Sequence, residues 1–151
     1  MTASLTAAER AGTDWVQALR DAGLRVTAPR IAALEVLASS AHVDAEVIAA
    51  EVRAKLGAVS KQAVYDVLAA LTDAGLARKV SLDGRRALYE LHRHDNHHHL
   101  VCRRCGRLED VPCAVGEAPC IPIAESESHG FAVDEAEVTY RGLCPDCAAR
   151  S

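Results

Sequence analysis

Aromatic residues are scarce in this chain, and long apolar runs are absent from it. One Trp, three Tyr and one Phe occur among 151 residues, although 50% of the residues are hydrophobic. Small aliphatic side chains must therefore form the core, and an Ala- and Leu-rich core favours helices. No apolar run reaches the ~18 residues that a membrane span requires, so we expect neither a membrane segment nor a membrane partner.

A secretion signal is also lacking, because residues 1–10 do not have the basic-then-apolar order of a signal peptide. The sequence therefore predicts a cytoplasmic protein. In that compartment the six cysteines are expected to be metal ligands or redox thiols rather than structural disulfides.

The net charge of −4 does not favour nucleic-acid binding, but the charge is unevenly distributed. Residues 1–91 carry 11 basic and 11 acidic side chains, whereas residues 92–151 carry 6 and 10. The acidity thus belongs to the second part of the chain. The first part can still present a local basic face.

The first part has the pattern of a helical unit that ends in a hairpin. Apolar periodicity predicts helices over about residues 14–22, 28–38, 45–56 and 61–74, with Thr27, Asp44 and Ser60 as N-caps. Strand-like segments 76–82 and 86–91 then flank Asp83 and Gly84, a hairpin dipeptide. Two helices joined by a short turn and followed by a hairpin predict a winged helix-turn-helix over residues 1–91. The alternative is a small helical bundle with an unrelated hairpin.

This unit would have suitable groups for double-stranded DNA. The first residues of a recognition helix meet base edges in the major groove, and arginines at a wing tip contact phosphates or the minor groove. Arg30 could add a backbone contact, whereas Asp66 is unfavourable there unless it accepts from a cytosine amine or a lysine. The polar side chains that we predict to contact DNA are Arg25, Lys61, Gln62, Tyr65, Arg85 and Arg86.

The second part, residues 97–151, is predicted to be a small strand-rich domain behind a polar hinge at residues 92–96. Alternating side chains indicate strands at residues 97–101, 107–111 and 131–140. Between the last two strands, Gly116, Pro119 and Pro122 exclude a long regular helix.

Two C-x-x-C pairs are the strongest local signal of chemistry. Each pair places two thiolates on one tight turn, which is half of a tetrahedral zinc site. Four cysteine ligands leave no open position, so this zinc would be structural; the alternative is two independent redox dithiols. The predicted zinc ligands are Cys102, Cys105, Cys144 and Cys147.

Three consecutive histidines precede the first pair, and strand geometry divides them between two faces. His97 and His99 would lie on one face and His98 on the other. Two histidines and a carboxylate suit Fe(II), Mn(II) or Zn(II). Candidates to complete the first site are His42, Glu90 and Asp110, and candidates for the second are Glu117 and His129. A third thiol pair, Cys113 and Cys120, could be idle or could form a reversible disulfide.

Taken together, these motifs resemble the ferric uptake regulator family of metal-dependent repressors over nearly the whole chain. The resemblance rests on GLRVTAPR at residues 23–30, VSKQAVY at 59–65, HHHLVCRRCG at 97–106 and GLCPDC at 142–147. The segment CAVGEAPC at residues 113–120 further resembles the actinobacterial, FurA/CatR-like branch, which represses catalase genes and senses peroxide.

The resemblance implies an α+β homodimer with an N-terminal winged helix and a C-terminal dimerisation domain built on a three-stranded antiparallel sheet. It implies structural Zn(II) on the four paired cysteines, and it matches Tyr65 to a residue that contacts DNA. Asn96 stands where a third-site ligand is usual. Two further ligand sets are implied: a regulatory Fe(II) or Mn(II) site of His42, Glu90, His97, His99 and Asp110, and a third site of His98, Glu117 and His129.

The resemblance thus implies a DNA-binding repressor, without an organic small-molecule substrate, that senses peroxide and controls catalase and oxidative-stress genes. An iron, zinc or nickel homeostasis repressor of the same family is the alternative: Glu90 is typical of iron sensors, whereas Asp110 is typical of peroxide sensors. Ala63 and Asp66 depart from the family pattern, so the resemblance does not imply the operator sequence.

Two other classes of protein are alternatives. A zinc hydrolase would need a zinc ion with an open position, and the sequence contains no H-E-x-x-H motif. A zinc-stabilised interaction module without DNA binding is the remaining alternative.

Overall fold

The computed structural model describes residues 13–82, 85–93, 95–117 and 119–150. Residues 1–10, the predicted turn at Asp83 and Gly84, and His94 of the predicted hinge lie outside this part of the chain. Two compact units divide the chain between residues 93 and 94. Among the described helices, none is long and apolar enough to cross a membrane.

Polar side chains begin the helices of the first unit, as the sequence predicts. Thr27 Oγ1 accepts from the Arg30 amide, Asp44 Oδ1 from the Val47 amide at 2.9 Å, and Ser60 Oγ from the Ala63 amide at 3.0 Å. Each bond satisfies an amide that the first helical turn leaves unpaired. The described helices of this unit are α1 (Trp15–Asp21), α2 (Ala28–Ser39), α3 (Ala45–Leu56) and α4 (Lys61–Asp73).

Aliphatic side chains fill the core between these helices, which confirms what the scarcity of aromatics predicts. Trp15 is only partly buried and packs against the edge of this core. The largest fully buried side chains among the described residues are Leu19, Leu34, Leu37, Ile48, Val52, Val64, Leu68 and Leu71.

A small antiparallel sheet completes the first unit as a winged helix. It contains β1 (Val43–Asp44), β2 (Ala77–Val80) and β3 (Leu88–Leu91) in the order β1-β3-β2. The predicted hairpin strands are confirmed, although both are shorter than predicted. The sequence gives no sign of β1, because two residues are too few to show a period. Its pairing of Val43 with Tyr89 nevertheless sets the position of His42.

The second unit is built on a three-stranded sheet in the order β5-β4-β6. Its strands are β4 (His97–Cys102), β5 (Leu108–Pro112) and β6 (Thr139–Gly142), and a short helix, α5 (Pro145–Ala148), follows. In the long connection between β5 and β6, the described residues form regular structure only in a 3₁₀ turn at Glu125–Glu127.

The α+β class is confirmed, but the prediction of an antiparallel sheet is wrong for its last strand. β4 pairs with β5 in antiparallel fashion, whereas β6 runs parallel to β4, with His99 opposite Thr139 and Cys102 opposite Gly142. A parallel neighbour requires a long connection, and residues 113–138 supply it. These residues include 131–138, which are irregular although a strand is predicted there.

Candidate metal centres and nucleic-acid surface

Parallel pairing of β4 and β6 brings the two C-x-x-C turns to the same end of the sheet. Cys102 ends β4, and Cys144 follows β6 by two residues. Gly106 closes the first turn with φ 80° and donates its amide to the Cys102 carbonyl at 2.9 Å. Arg104 Nη1 then donates to the Cys147 carbonyl at 2.8 Å, which ties the two turns together. An antiparallel β6 would have carried the second pair to the opposite end.

The four sulfur atoms have the spacing of a tetrahedral zinc site. All lie within 4.8 Å of one another, and Cys105 Sγ is 3.7 Å from Cys144 Sγ. Zinc–sulfur bonds of about 2.3 Å give tetrahedral S···S edges of about 3.8 Å. The donor set and its spacing therefore fit structural Zn(II).

The thiol pKa values show why a cation would stabilise this cluster. Backbone amides of Cys105 and Cys144 lower the pKa of Cys102 to about 5. The hydrogen bond with Cys144 and burial beside the other thiols raise the pKa of Cys147 to about 12. The first thiol of the cluster thus loses its proton readily, whereas deprotonation of a further thiol is unfavourable beside the first negative charge. A bound dication would offset this repulsion, because cysteines bind metals as thiolates.

In the first unit, His42 and Glu90 form a buried imidazole–carboxylate pair. Since Val43 pairs with Tyr89, the preceding His42 lies opposite the following Glu90. Nε2 of His42 is 2.9 Å from Oε2 of Glu90, with 11% and 5% of the two side chains exposed. His42 has φ 57°, a left-handed conformation that costs a non-glycine residue roughly 1–2 kcal/mol. Such strain is typical of functional positions.

In the second unit, His97, His99 and Asp110 converge on one face of the sheet. Asp110 is the cross-strand partner of His99, and its Oδ1 lies 3.6 Å from His99 Nε2 and 3.8 Å from His97 Nε2. The two imidazole rings meet edge to face, with centroids 5.1 Å apart. Both Nε2 atoms therefore point toward one carboxylate, which is the arrangement of a histidine–carboxylate metal site.

Asp95 is a site residue that the sequence reasoning missed. Its Oδ1 lies 3.0 Å from His97 Nδ1, so it can fix the ring orientation and leave Nε2 for a metal. No spacing or period distinguishes this aspartate in the sequence. Only the backbone bend before β4 reveals its role.

The opposite face of β4 carries His98, but its neighbours differ from the predicted ones. Cys113 and Cys120 lie beside it, with Cys120 Sγ 3.1 Å from His98 Nε2. Among the described residues, Glu117 and His129 do not join this group: both are exposed. The structure thus replaces the predicted carboxylate and imidazole with two thiols, because the connection after β5 folds back under β4.

The predicted DNA-contacting side chains of α4 lie on the surface of the first unit. Lys61, Gln62 and Tyr65 are all exposed, since they follow the Ser60 cap on the face opposite the buried Val64 and Leu68. Gln62 Nε2 donates to Asp66 Oδ1 at 2.9 Å. Lys61 is ion-paired with Glu46, which raises the lysine pKa. Exposed pairs of this kind are weak, so phosphate could compete for the lysine.

The arginines lie on either side of this helix. Arg86 lines a groove of about 330 Å³ together with Tyr65, Lys79 and Tyr89, and Arg85 is exposed beside it. Arg25 and Arg30 line a second cleft with Asp66, of about 450 Å³. Arg30 Nη1 donates to the Arg25 carbonyl at 2.7 Å. The predicted set thus occupies neighbouring surfaces of one unit.

The first unit is a winged helix with a polar surface, and the chain also carries a four-cysteine cluster and histidine–carboxylate groups. These features are typical of a metal-responsive transcriptional regulator rather than an enzyme. Residues 21–141 match the model of the Ferric uptake regulator family. The chain belongs to that family, as the sequence motifs predict.

Similar proteins align with almost the whole length of this chain. Transcriptional regulator FurA of Mycobacterium tuberculosis is 56% identical over 135 residues, which are 89% of this chain and 90% of that protein. The Vibrio cholerae ferric uptake regulator is 28% identical with a TM-score of 0.64, over 87% of this chain and 100% of that one. The ferric uptake regulator of Pseudomonas aeruginosa, solved with manganese, is also 28% identical, with a TM-score of 0.65 over 88% and 99%. The predicted actinobacterial branch agrees with the first of these.

Proposed function

We propose that this protein is a homodimeric repressor whose affinity for an operator in double-stranded DNA depends on Fe(II) or Mn(II). The regulatory metal would be held by His42, Glu90, His97, His99 and Asp110. The observation that carries the proposal is the division of these donors: a buried His42–Glu90 pair belongs to the first unit, and the His97–His99–Asp110 group belongs to the second.

Neither group alone supplies a full set of ligands for these metals. Fe(II) and Mn(II) bind imidazole and carboxylate ligands together, and each of the two groups contains both kinds of ligand. A metal that takes donors from both would restrict how the winged helix can move against the second unit. If it binds only the DNA-competent arrangement, it shifts the population toward that arrangement.

Dimeric DNA binding is supported by the family, whose regulators bind DNA as dimers. Two recognition helices must then fall about one helical turn apart, or a multiple of that distance. Holding each winged helix in place relative to its own dimerisation domain would set this distance. The manganese in the Pseudomonas aeruginosa relative supports the choice of metal.

For the signal, we propose peroxide and the control of catalase and oxidative-stress genes. Bound Fe(II) would supply the reducing chemistry that peroxide requires, and oxidation of His42 or His97 would remove a donor and weaken the link between the two groups. The 56% identity to an actinobacterial FurA and the aspartate at position 110 support this choice. The second candidate is an iron-responsive repressor, which the buried Glu90 favours.

DNA binding with different metals tests these functions. An operator is first selected from a random duplex pool with Mn(II)-loaded protein, and its affinity is then measured with Mn(II) or Fe(II), each with and without stoichiometric peroxide. Peroxide sensing requires that peroxide abolishes binding only with Fe(II) and adds oxygen to a ligand histidine. Iron sensing requires binding that survives peroxide with both metals. If neither metal strengthens binding, the proposed repressor mechanism is wrong.

Asp95→Asn is expected to weaken Mn(II) binding roughly 10–100-fold, as loss of a partner behind a metal-bound histidine usually does. The amide can no longer accept a full charge-assisted bond from His97 Nδ1. Calorimetric titration with Mn(II) measures the change. Asp146→Asn, an exposed aspartate of α5, is the matched control and should bind Mn(II) like the wild type. Equal affinities for all three proteins would exclude a role for Asp95.

Arg86→Ala should weaken DNA binding to a similar extent for all duplex sequences. It should also reduce the slope of log Kd against log salt concentration by about 1. Phosphate contacts release counterions and read no sequence. Fluorescence anisotropy over a range of salt concentrations gives the slope. Gln62→Ala should instead leave the slope unchanged and relax sequence preference, because Gln62 lies where bases are read. A salt slope that Arg86→Ala leaves unchanged would remove Arg86 from the interface.

A further inference from the structure

His98, Cys113 and Cys120 form a donor cluster that the proposed regulatory site does not use. Nε2 of His98 and the two sulfur atoms all lie within 4.8 Å of one another. His98 is 4% exposed, and both cysteines are half-buried free thiols. The cluster lies on the face of β4 opposite His97 and His99.

Asn96 holds the backbone of the turn that follows Cys113. The Cys113 amide donates to the Asn96 carbonyl at 3.1 Å, and Asn96 Nδ2 donates to the Glu117 carbonyl at 3.0 Å. Asn96 therefore holds the segment from both sides of its turn. This explains a residue that sequence reasoning treats only as a missing ligand.

Local backbone amides also prepare one of the thiols for a cation. The amides of Gly116 and Val115 lower the pKa of Cys113, whereas burial and the neighbouring Cys113 raise the pKa of Cys120. Gly116 has φ 82°, a conformation that glycine adopts without strain. A thiolate at Cys113 would thus be stabilised by backbone amides of this turn.

We propose that His98, Cys113 and Cys120 bind a second Zn(II) ion, with three protein ligands and a fourth position open. Two thiolates and an imidazole are soft and borderline donors that select zinc over Mn(II). Three protein ligands with an open position are typical of zinc sites that exchange ligands. This set shares no residue with the four-cysteine cluster or with the proposed regulatory site.

The distances require little rearrangement. Zinc bonds of about 2.3 Å to sulfur and about 2.0–2.1 Å to nitrogen give tetrahedral edges of about 3.6 Å for N···S and 3.8 Å for S···S. The 3.1 Å contact of His98 Nε2 with Cys120 Sγ would open by about 0.5 Å on this geometry. The other two edges are at most 4.8 Å and would close by no more than about 1.2 Å on the same geometry.

Occupancy of this site would act on the strand that carries the proposed sensor ligands. His98 lies between His97 and His99, and Cys113 directly follows β5, which carries Asp110. A zinc ion would link β4 to the end of β5 on the face of the sheet opposite His97 and His99. The site tested below is nevertheless independent of operator binding, so either proposal can fail without the other.

Cobalt substitution tests the site, because Co(II) bound to thiolate gives an intense near-ultraviolet charge-transfer band. Reduced protein is kept anaerobic, its tightly held four-cysteine zinc is retained, and Co(II) is added to the wild type, Cys113→Ser, Cys120→Ser, Glu117→Gln and His129→Ala. Zinc content after chelation is measured for each protein, to confirm that the four-cysteine cluster is intact.

We expect a thiolate–Co(II) band in the wild type, its loss in Cys113→Ser and Cys120→Ser, and its displacement by added Zn(II). Glu117→Gln and His129→Ala, which alter the ligands expected from sequence, should keep it. The proposal is overturned if the wild type shows no such band, if the band persists in Cys120→Ser, or if Glu117→Gln abolishes it. Using both cysteine variants guards against local damage by one of them.

Discussion

Cys147→Ser will remove the zinc that we expect on the four-cysteine cluster and unfold the second unit, while the first unit stays folded. The reason lies in how little else holds β6. Its residues are mostly exposed, so burial contributes little, and it touches β4 through four residue pairs. The cysteine cluster joins the end of β6 to the end of β4. Binding of structural zinc supplies about 10–16 kcal/mol in zinc-finger peptides and is coupled to folding.

The two units can be followed separately in this experiment. Trp15, the one tryptophan of the chain, packs against the core of the first unit, so its fluorescence reports on that unit. Hydrogen exchange at His99 and Arg103, whose amides donate to the carbonyls of Val138 and Gly142, reports on the β4–β6 pairing of the second. We expect lost amide protection with an unchanged Trp15 signal.

Cys120→Ser is the matched control for this experiment, because it makes the same chemical change outside the cluster. It should keep the chelator-resistant zinc and the β4–β6 protection. If Cys147→Ser also keeps both, zinc is not what holds the sheet together.

His42→Asn will abolish the metal dependence of operator binding without unfolding the protein. Coupling between two ligands is typically 5–150-fold in affinity, and we expect the variant to lose this factor for Mn(II). Asparagine tolerates the left-handed backbone at His42, with φ 57°, better than alanine. The change therefore removes the imidazole with little backbone strain.

Anisotropy titrations of the operator, with and without Mn(II), measure this effect, and Trp15 fluorescence checks the fold. His129→Asn makes the same replacement at an exposed histidine that also has positive φ. It should retain the full metal dependence. If His42→Asn retained that dependence as well, His42 would not be a regulatory ligand.

Local signals explain what the sequence could predict. The helices begin at Thr27, Asp44 and Ser60 because these side chains cap amides within three residues, and that signal is contained in the sequence itself. The C-x-x-C spacing likewise predicts the four-cysteine cluster that the structure contains, since each pair places two sulfur atoms on one turn. Alternation along β4 separates His98 from His97 and His99 for the same reason.

Long-range contacts explain what the sequence could not predict. The parallel course of β6 depends on how residues 113–138 travel, and no period in that segment indicates it. The pairing of His98 with Cys120 depends on the same segment, so Glu117 and His129 seemed equally good partners. Asp95 acquires its role only from the bend before β4.

The central claim is that the regulatory metal and DNA favour the same arrangement of the protein. Linkage then requires each ligand to strengthen the other by the same factor. The most direct measurement is the Kd for Mn(II), determined with and without saturating operator, beside the Kd for operator with and without Mn(II). We predict that the two ratios are equal and well above one. A Kd for Mn(II) that operator leaves unchanged would contradict the claim.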